Sequence, residues 1–136
     1  MKKTATAQWQ GKGKEGSGKF SAASRLFNNV PFTYATRFEQ TEGTSPEELI
    51  AAAHASCFSM KLSIVLANTG FTTENLETAC TITIEGGVIT NSHLAVKAKV
   101  LGIDKAKFAE CAEDARANCP VSKVLNAEVS MEAELV

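Results

Sequence analysis

The spacing of apolar residues switches between a period of two and a helical pattern along the chain, and the switches mark its elements. Residues 4–10 alternate, with Ala5, Ala7 and Trp9 on one side and Thr6, Gln8 and Gln10 on the other, which predicts a half-buried strand. A Gly/Lys-rich stretch at 11–18 predicts a flexible turn into a second strand at 19–23, and residues 25–30 read as irregular. Phe32, Tyr34, Thr36 and Phe38 then share one face, opposite Arg37 and Glu39, which predicts a third strand over 32–39 before a loop at 41–44.

A long helical pattern follows at 45–69. Ser45 suits the N-cap, Pro46 the first helical position, and Glu47 and Glu48 complement the positive helix end. Ser45 and Glu48 also have the spacing of a capping box, and Gly70 provides a left-handed end. Leu49, Ile50, Phe58, Met60, Leu62, Ile64, Val65 and Leu66 fall on nearly all faces, which predicts a buried central helix. The segment is long enough to span a membrane. His54, Lys61, Ser56, Ser59 and Ser63 interrupt it and its ends lack anchors, so it reads as a core helix with no membrane partner.

Strand patterning returns after Gly70. Cys80, Ile82 and Ile84 alternate with polar residues, Gly86-Gly87 permits a tight reversal, and Leu94, Val96, Ala98 and Val100 point inward while His93, Lys97 and Lys99 point outward. Asp104 caps a helix running to about residue 117, with Phe108, Cys111, Ala112 and Ala115 as its apolar stripe. A short helix occupies 120–125, and Val129, Met131, Ala133 and Leu135 are the inward positions of a final strand. The order βββ-α-ββ-αα-β predicts an α+β fold in one domain, residues 1–136, without a βαβ dinucleotide unit or an internal repeat.

Composition narrows the function. The 136 residues are 44% hydrophobic and 21% charged, with a formal net charge of -1, which is ordinary for a globular protein. With no basic block, nucleic acid and anionic membrane surfaces are not expected partners. Residues 1–9 are basic but lack the apolar run of a signal peptide, and a cytoplasmic location is expected. The Gly/Lys run lacks the Gly-Lys-Ser/Thr ending of a phosphate loop.

Four cysteines in a reducing compartment point to redox chemistry rather than permanent staples. Cys80, inward on a strand, and Cys111, on a helix stripe, are packing residues. Cys119 precedes Pro120 at the start of a helix, where the positive end and free N–H groups favour a thiolate. Cys57 lies about three turns inside the central helix, beyond the reach of that helix's own end, so a reactive Cys57 needs a cation. Arg37 is the natural supplier, although its pattern equally suits a surface arginine, and Cys57 by itself equally suits a small core residue.

Three segments together resemble one family: Arg37-Phe38-Glu39, the run Gly43 to Met60 containing Ser45-Pro46-Glu47-Glu48 and His54-Ala55-Ser56-Cys57, and Cys119-Pro120-Val121-Ser122. They are similar to the OsmC/Ohr family of osmotically induced and organic-hydroperoxide-resistance proteins, and His54 resembles the OsmC branch. The resemblance covers essentially the whole chain and departs at Ser45, where asparagine is common. It implies strands packed around the central helix in an intertwined homodimer, and a thiol peroxidase working without cofactor or metal. Cys57 would be the peroxidatic cysteine and Cys119 the resolving one, joined in an intramolecular disulfide. Arg37 and Glu47 would be the activating ion pair. An apolar lining near Cys57, including Phe58 and Met60, would favour organic hydroperoxides over hydrogen peroxide. Small dithiols or lipoylated proteins would be the reductants.

Two other readings compete. One is a non-catalytic stress-response structural or binding protein whose cysteines are packing. The other is a metal site on His54, Cys57 and Cys119, for which no further histidine or carboxylate stands nearby in sequence.

Overall fold

The computed structural model describes residues 1–39 and 41–136, which fall into two compact units, Met1–Leu49 and Ile50–Val136. The first unit carries an antiparallel sheet, β1 (Ala5–Gln10), β2 (Ser17–Ala22) and β3 (Val30–Phe32), in that order. The expected burial of Ala5, Ala7 and Trp9 is not found, since every residue of β1 is exposed. The Gly/Lys run is also less of a free turn than expected, because β2 begins inside it. Gly18 pairs with Trp9 across the strands, and a Cβ there would lie 2.6 Å from the Trp9 ring and 2.8 Å from the Phe32 ring. That close approach, rather than flexibility, requires glycine at 18.

The third predicted strand is where local chemistry overrides the alternation. Only Val30–Phe32 is extended, and Tyr34–Phe38 forms a short helix, α1. Thr33 caps it. Its hydroxyl accepts from the Thr36 N–H at 3.2 Å, and the Thr36 hydroxyl accepts from the Thr33 N–H at 2.9 Å, a reciprocal capping box made by two threonines. Tyr34 and Phe38, four residues apart, then meet on one helix face with ring centroids 4.9 Å apart.

The long helix α2 (Pro46–Asn68) begins in the first unit and continues into the second. Its N-terminus is closed as the sequence predicts, with the Glu48 N–H donating to Ser45 Oγ at 3.2 Å. The Glu48 carboxylate accepts from Thr44 Oγ1 at 2.9 Å, so the partner of Glu48 is the preceding hydroxyl. At the other end Phe71 N–H reaches Leu66 O and Gly70 adopts φ 93°, a left-handed termination.

In the second unit β4 (Thr73–Glu85) and β5 (Val88–Val100) form a long antiparallel hairpin, turned by Gly86 and Gly87 at φ 58° and 78°. Two helices, α3 (Lys105–Asn118) and α4 (Pro120–Val124), then cross back so that β6 (Glu128–Leu135) lies parallel to β5. The core is the contact between Phe58, Leu62, Val65 and Leu66 of α2, Leu94, Val96 and Ala98 of β5, and Phe108, Cys111, Ala112 and Ala115 of α3. These are the inward positions read from the sequence for β5 and α3, and the α+β class holds. Burial of α2 on all faces does not hold in the single chain. Ala52, Ala53, Ser56, Met60, Ser63, Ile64 and Ala67 form an exposed stripe, with Met60 68% and Ile64 48% exposed.

Candidate functional site

The residues marked out by the sequence form two clusters, one in each unit. In the first, α1 presents Arg37 to Glu47 in the first turn of α2. Arg37 Nε donates to both carboxylate oxygens of Glu47, at 2.9 and 3.2 Å, and Nη2 donates to Oε1 at 2.6 Å. Two guanidinium nitrogens on one carboxylate make a charge-assisted, orientation-fixing contact. Glu47 is buried at 8% exposure, whereas the Arg37 side chain stays 40% exposed. The ion pair therefore fixes a cation that is still accessible. The strand-to-helix change at 34–38 makes this possible, because a helix places Arg37 one turn from Thr33 instead of on the outer face of a sheet. Trp9, Phe32, Tyr34 and Phe38 line a cleft of about 280 Å³ beside Arg37. Phe38 also stacks on the guanidinium at 4.9 Å.

The second cluster joins Cys57 and Cys119. Their sulfurs lie 2.9 Å apart, both as free cysteines, with Cys119 fully buried and Cys57 half-buried. Cys119 occupies the joint between α3 and α4, serving as C-cap of the first and N-cap of the second. The sequence reading saw only the positive end of α4. In the fold the negative end of the longer α3 meets the same residue, so the helix-end argument for Cys119 loses its force.

The α4 end acts on Cys57 instead. The backbone of Val121, in the first turn of α4, favours the Cys57 thiolate. Cys57 was expected to get no help from any helix end because of its depth in α2. The help comes from a different helix, which sequence spacing does not reveal. Burial and the adjacent Cys119 thiol outweigh it, and together they push the Cys57 thiol above its ordinary range.

Behind this pair runs a file of buried polar groups. His54, one turn before Cys57, is fully buried, with Nδ1 2.6 Å from Ser92 Oγ and Nε2 2.7 Å from Ser122 Oγ. Cys80 Sγ lies 3.3 Å from Ser92 Oγ, the two residues being diagonal neighbours on the inner face of the β4–β5 hairpin. Burial lowers the His54 pKa below its ordinary 6.5. With both ring nitrogens engaged by serines, His54 has none left for a metal, which removes the nitrogen ligand from the metal reading. Among the described residues no group of three His, Cys, Asp or Glu is placed to hold an ion. Cys80 and Cys111 are packed against the core as expected, although Cys80 also faces Ser92.

Ser92, Ser122 and Val121 were given no role from sequence. Ser92 carried a signal, since it extends the inward series of Leu94, Val96 and Ala98 with a polar residue. Of the two residues expected to line the site, Phe58 is fully buried in the core against which Cys57 packs, and Met60 lies on the exposed stripe of α2.

Known proteins are similar to this chain along nearly its whole length. A chain 42% identical over 137 residues is the peroxiredoxin OsmC of Escherichia coli (strain K12), the match covering 98% of this chain and 96% of that protein. The same identity and coverage hold for the peroxiredoxin OsmC of Shigella flexneri. Among solved structures, an OsmC-like protein from Mycoplasma pneumoniae superposes with a TM-score of 0.76 at 13% identity, covering 100% of this chain and 98% of that one. The organic hydroperoxide resistance protein OhrB of Bacillus subtilis gives a TM-score of 0.65 at 21% identity, covering 98% of each chain. Residues 39–134, from the C-cap of α1 into the last residues of β6, match the family described as OsmC-like protein, and with a near-full-length relative at 42% identity the chain belongs to that family.

Proposed function

We propose that this protein is a thiol peroxidase that reduces organic hydroperoxides through Cys57 and Cys119. The observation carrying this reading is the 2.9 Å approach of the two sulfurs. The Cys57 thiolate attacks the distal peroxide oxygen and the O–O bond breaks. The alkoxide takes a proton to leave as the alcohol, and Cys57 becomes a sulfenic acid. Cys119 then attacks that sulfur, displacing the oxygen as water and closing a Cys57–Cys119 disulfide. A small dithiol or a lipoylated protein reduces it, becoming a disulfide in turn. The relatives named peroxiredoxin OsmC support the reaction class.

A single chain supplies only part of this. Burial and Cys119 hold the Cys57 thiol high, so a cation is required. Glu47 precedes Cys57 by ten residues of α2, about 15 Å at ~1.5 Å per residue, too far along one helix to serve it. We assign the Arg37–Glu47 pair to Cys57 of a second copy. The exposed stripe of α2, with Ala52 and Ala53 small enough for close approach, meets its symmetry mate in an antiparallel homodimer. In that assembly the chain functions as a single OsmC-like domain, and the aromatic cleft beside Arg37 receives the apolar tail of the peroxide.

One equivalent of cumene hydroperoxide added to the reduced protein tests this. The expected products are one equivalent of cumyl alcohol and one intramolecular disulfide, located by peptide mass spectrometry at Cys57 and Cys119. Unconsumed peroxide with all four thiols free would instead favour a non-catalytic protein.

A further inference from the structure

The buried file Cys80–Ser92–His54–Ser122 takes no part in the steps above, yet it ends on the element that carries both partners of Cys57. Ser122 lies in α4 between Val121, whose backbone favours the Cys57 thiolate, and Lys123, whose N–H bonds the Cys119 carbonyl at 3.1 Å. α4 has five residues and no side-chain cap, so it has little stability of its own. Its position depends on what grips it from the side, and His54 Nε2 does so at 2.7 Å.

The proton positions follow from the partners. Either atom of the Cys80–Ser92 contact can be the donor; burial favours the protonated Cys80 thiol, and taking its S–H to Ser92 Oγ sets the rest of the file. The Ser92 hydroxyl has one hydrogen, which goes to His54 Nδ1. Nδ1 is then an acceptor, the ring is neutral, and Nε2–H donates to Ser122 Oγ. With that assignment the hydrogen bonds in the file run in one direction, from β4 to α4. We propose that His54 is a positioning residue for the resolving step: as the neutral Nε2–H tautomer it holds Ser122, and with it the first turn of α4, so that the Cys119 thiol at the start of that helix remains beside Cys57. The inference rests on the reading of Cys57 and Cys119 as a redox pair, but not on the identity of the oxidant.

Diamide separates the two. It adds to one thiolate at its N=N bond, the second thiol displaces the adduct to form the disulfide, and diamide leaves as its hydrazine with the two electrons and two protons. In Ser122→Ala, Cys57–Cys119 disulfide formation by diamide is expected to slow roughly tenfold, the ratio that corresponds to about 1.4 kcal/mol for one lost buried hydrogen bond. Ser122→Thr, which keeps the hydroxyl, is expected to recover most of the rate. Equal rates in wild type and Ser122→Ala, or no recovery with threonine, would overturn the proposal. Should Ser122→Ala fold poorly, ¹⁵N chemical shifts of the wild-type ring decide: a neutral Nε2–H tautomer at neutral pH supports the file, and an Nδ1–H or doubly protonated ring contradicts it. A wild-type protein that closes the disulfide with diamide but leaves cumene hydroperoxide intact would remove the peroxidase reading and leave the positioning role standing.

Discussion

The Cys57 sulfur lies 2.9 Å from that of Cys119 although 62 residues separate them in the chain. Between them run the β4–β5 hairpin and α3, and their closure is what returns α4 to the middle of α2. A disulfide between them would therefore need little rearrangement, since the sulfurs have to close only to about 2.05 Å. Val121 and Ser122, the next residues on α4, reach Cys57 and His54, so this one helical turn meets α2 at two points.

Arg37→Met is expected to raise the Cys57 pKa further. In the single chain the influences on that thiol are burial, Cys119 and the Val121 backbone, and only the last favours the thiolate. The measurement is the pH dependence of iodoacetamide alkylation at Cys57, whose midpoint should move upward in the variant. An unchanged profile would remove Arg37 from the site.

Stability should depend on pH through His54. Unfolded, it titrates near 6.5; folded, burial holds it lower. Below that unfolded value the unfolded chain binds a proton the folded chain does not, so stability present above about pH 7 is lost as pH falls. The limiting slope is about 1.4 kcal/mol per pH unit. His54→Gln should flatten this dependence. Urea midpoints at pH 7 and 5.5 check it, and an equal drop in both proteins would contradict the assignment.

Cys80→Ala and Cys111→Ala should leave turnover unchanged and cost roughly 1 kcal/mol each. Cys111 is buried against Phe108 and Ala112 in the core. Cys80 stands at the far end of the file, 3.3 Å from Ser92, and the contacts of His54 with Ser92 and Ser122 do not pass through it. A turnover defect in Cys80→Ala would place a third thiol in the reaction.

Mixed dimers test the shared arrangement. Refolding Cys57→Ser together with Glu47→Ala should regenerate one intact site per mixed dimer, and hence activity that neither parent has. Mixed dimers confirmed by mass but inactive would confine Arg37, Glu47 and Cys57 to one chain.

How much was legible depended on whether the signal was local. The α2 cap at Ser45, the Gly86-Gly87 turn, the α3 stripe and the inward series of β5 are set by residues a few positions apart, and each is found as read. The segment 34–38 was misread because Phe32, Tyr34, Thr36 and Phe38 alternate as a strand would, while the Thr33–Thr36 capping box, two hydrogen bonds strong, commits it to a helix. Met60 and Ile64 read as buried but are exposed, because an apolar pattern does not tell burial within a chain from burial against another. The link from Val121 to Cys57 and the His54 file depend on strands and helices distant in sequence, and no spacing rule reaches them. For Arg37 and Glu47 it was the family motifs, not periodicity, that suggested pairing.

The most direct measurement places the sulfenic acid. Cys119→Ser is treated with one equivalent of cumene hydroperoxide in the presence of dimedone, and the adduct is located by peptide mass spectrometry. Cys57 as peroxidatic and Cys119 as resolving residue predict a single adduct on Cys57 in step with cumyl alcohol, and neither product in Cys57→Ser. An adduct on Cys119 of an active Cys57→Ser protein would contradict that assignment.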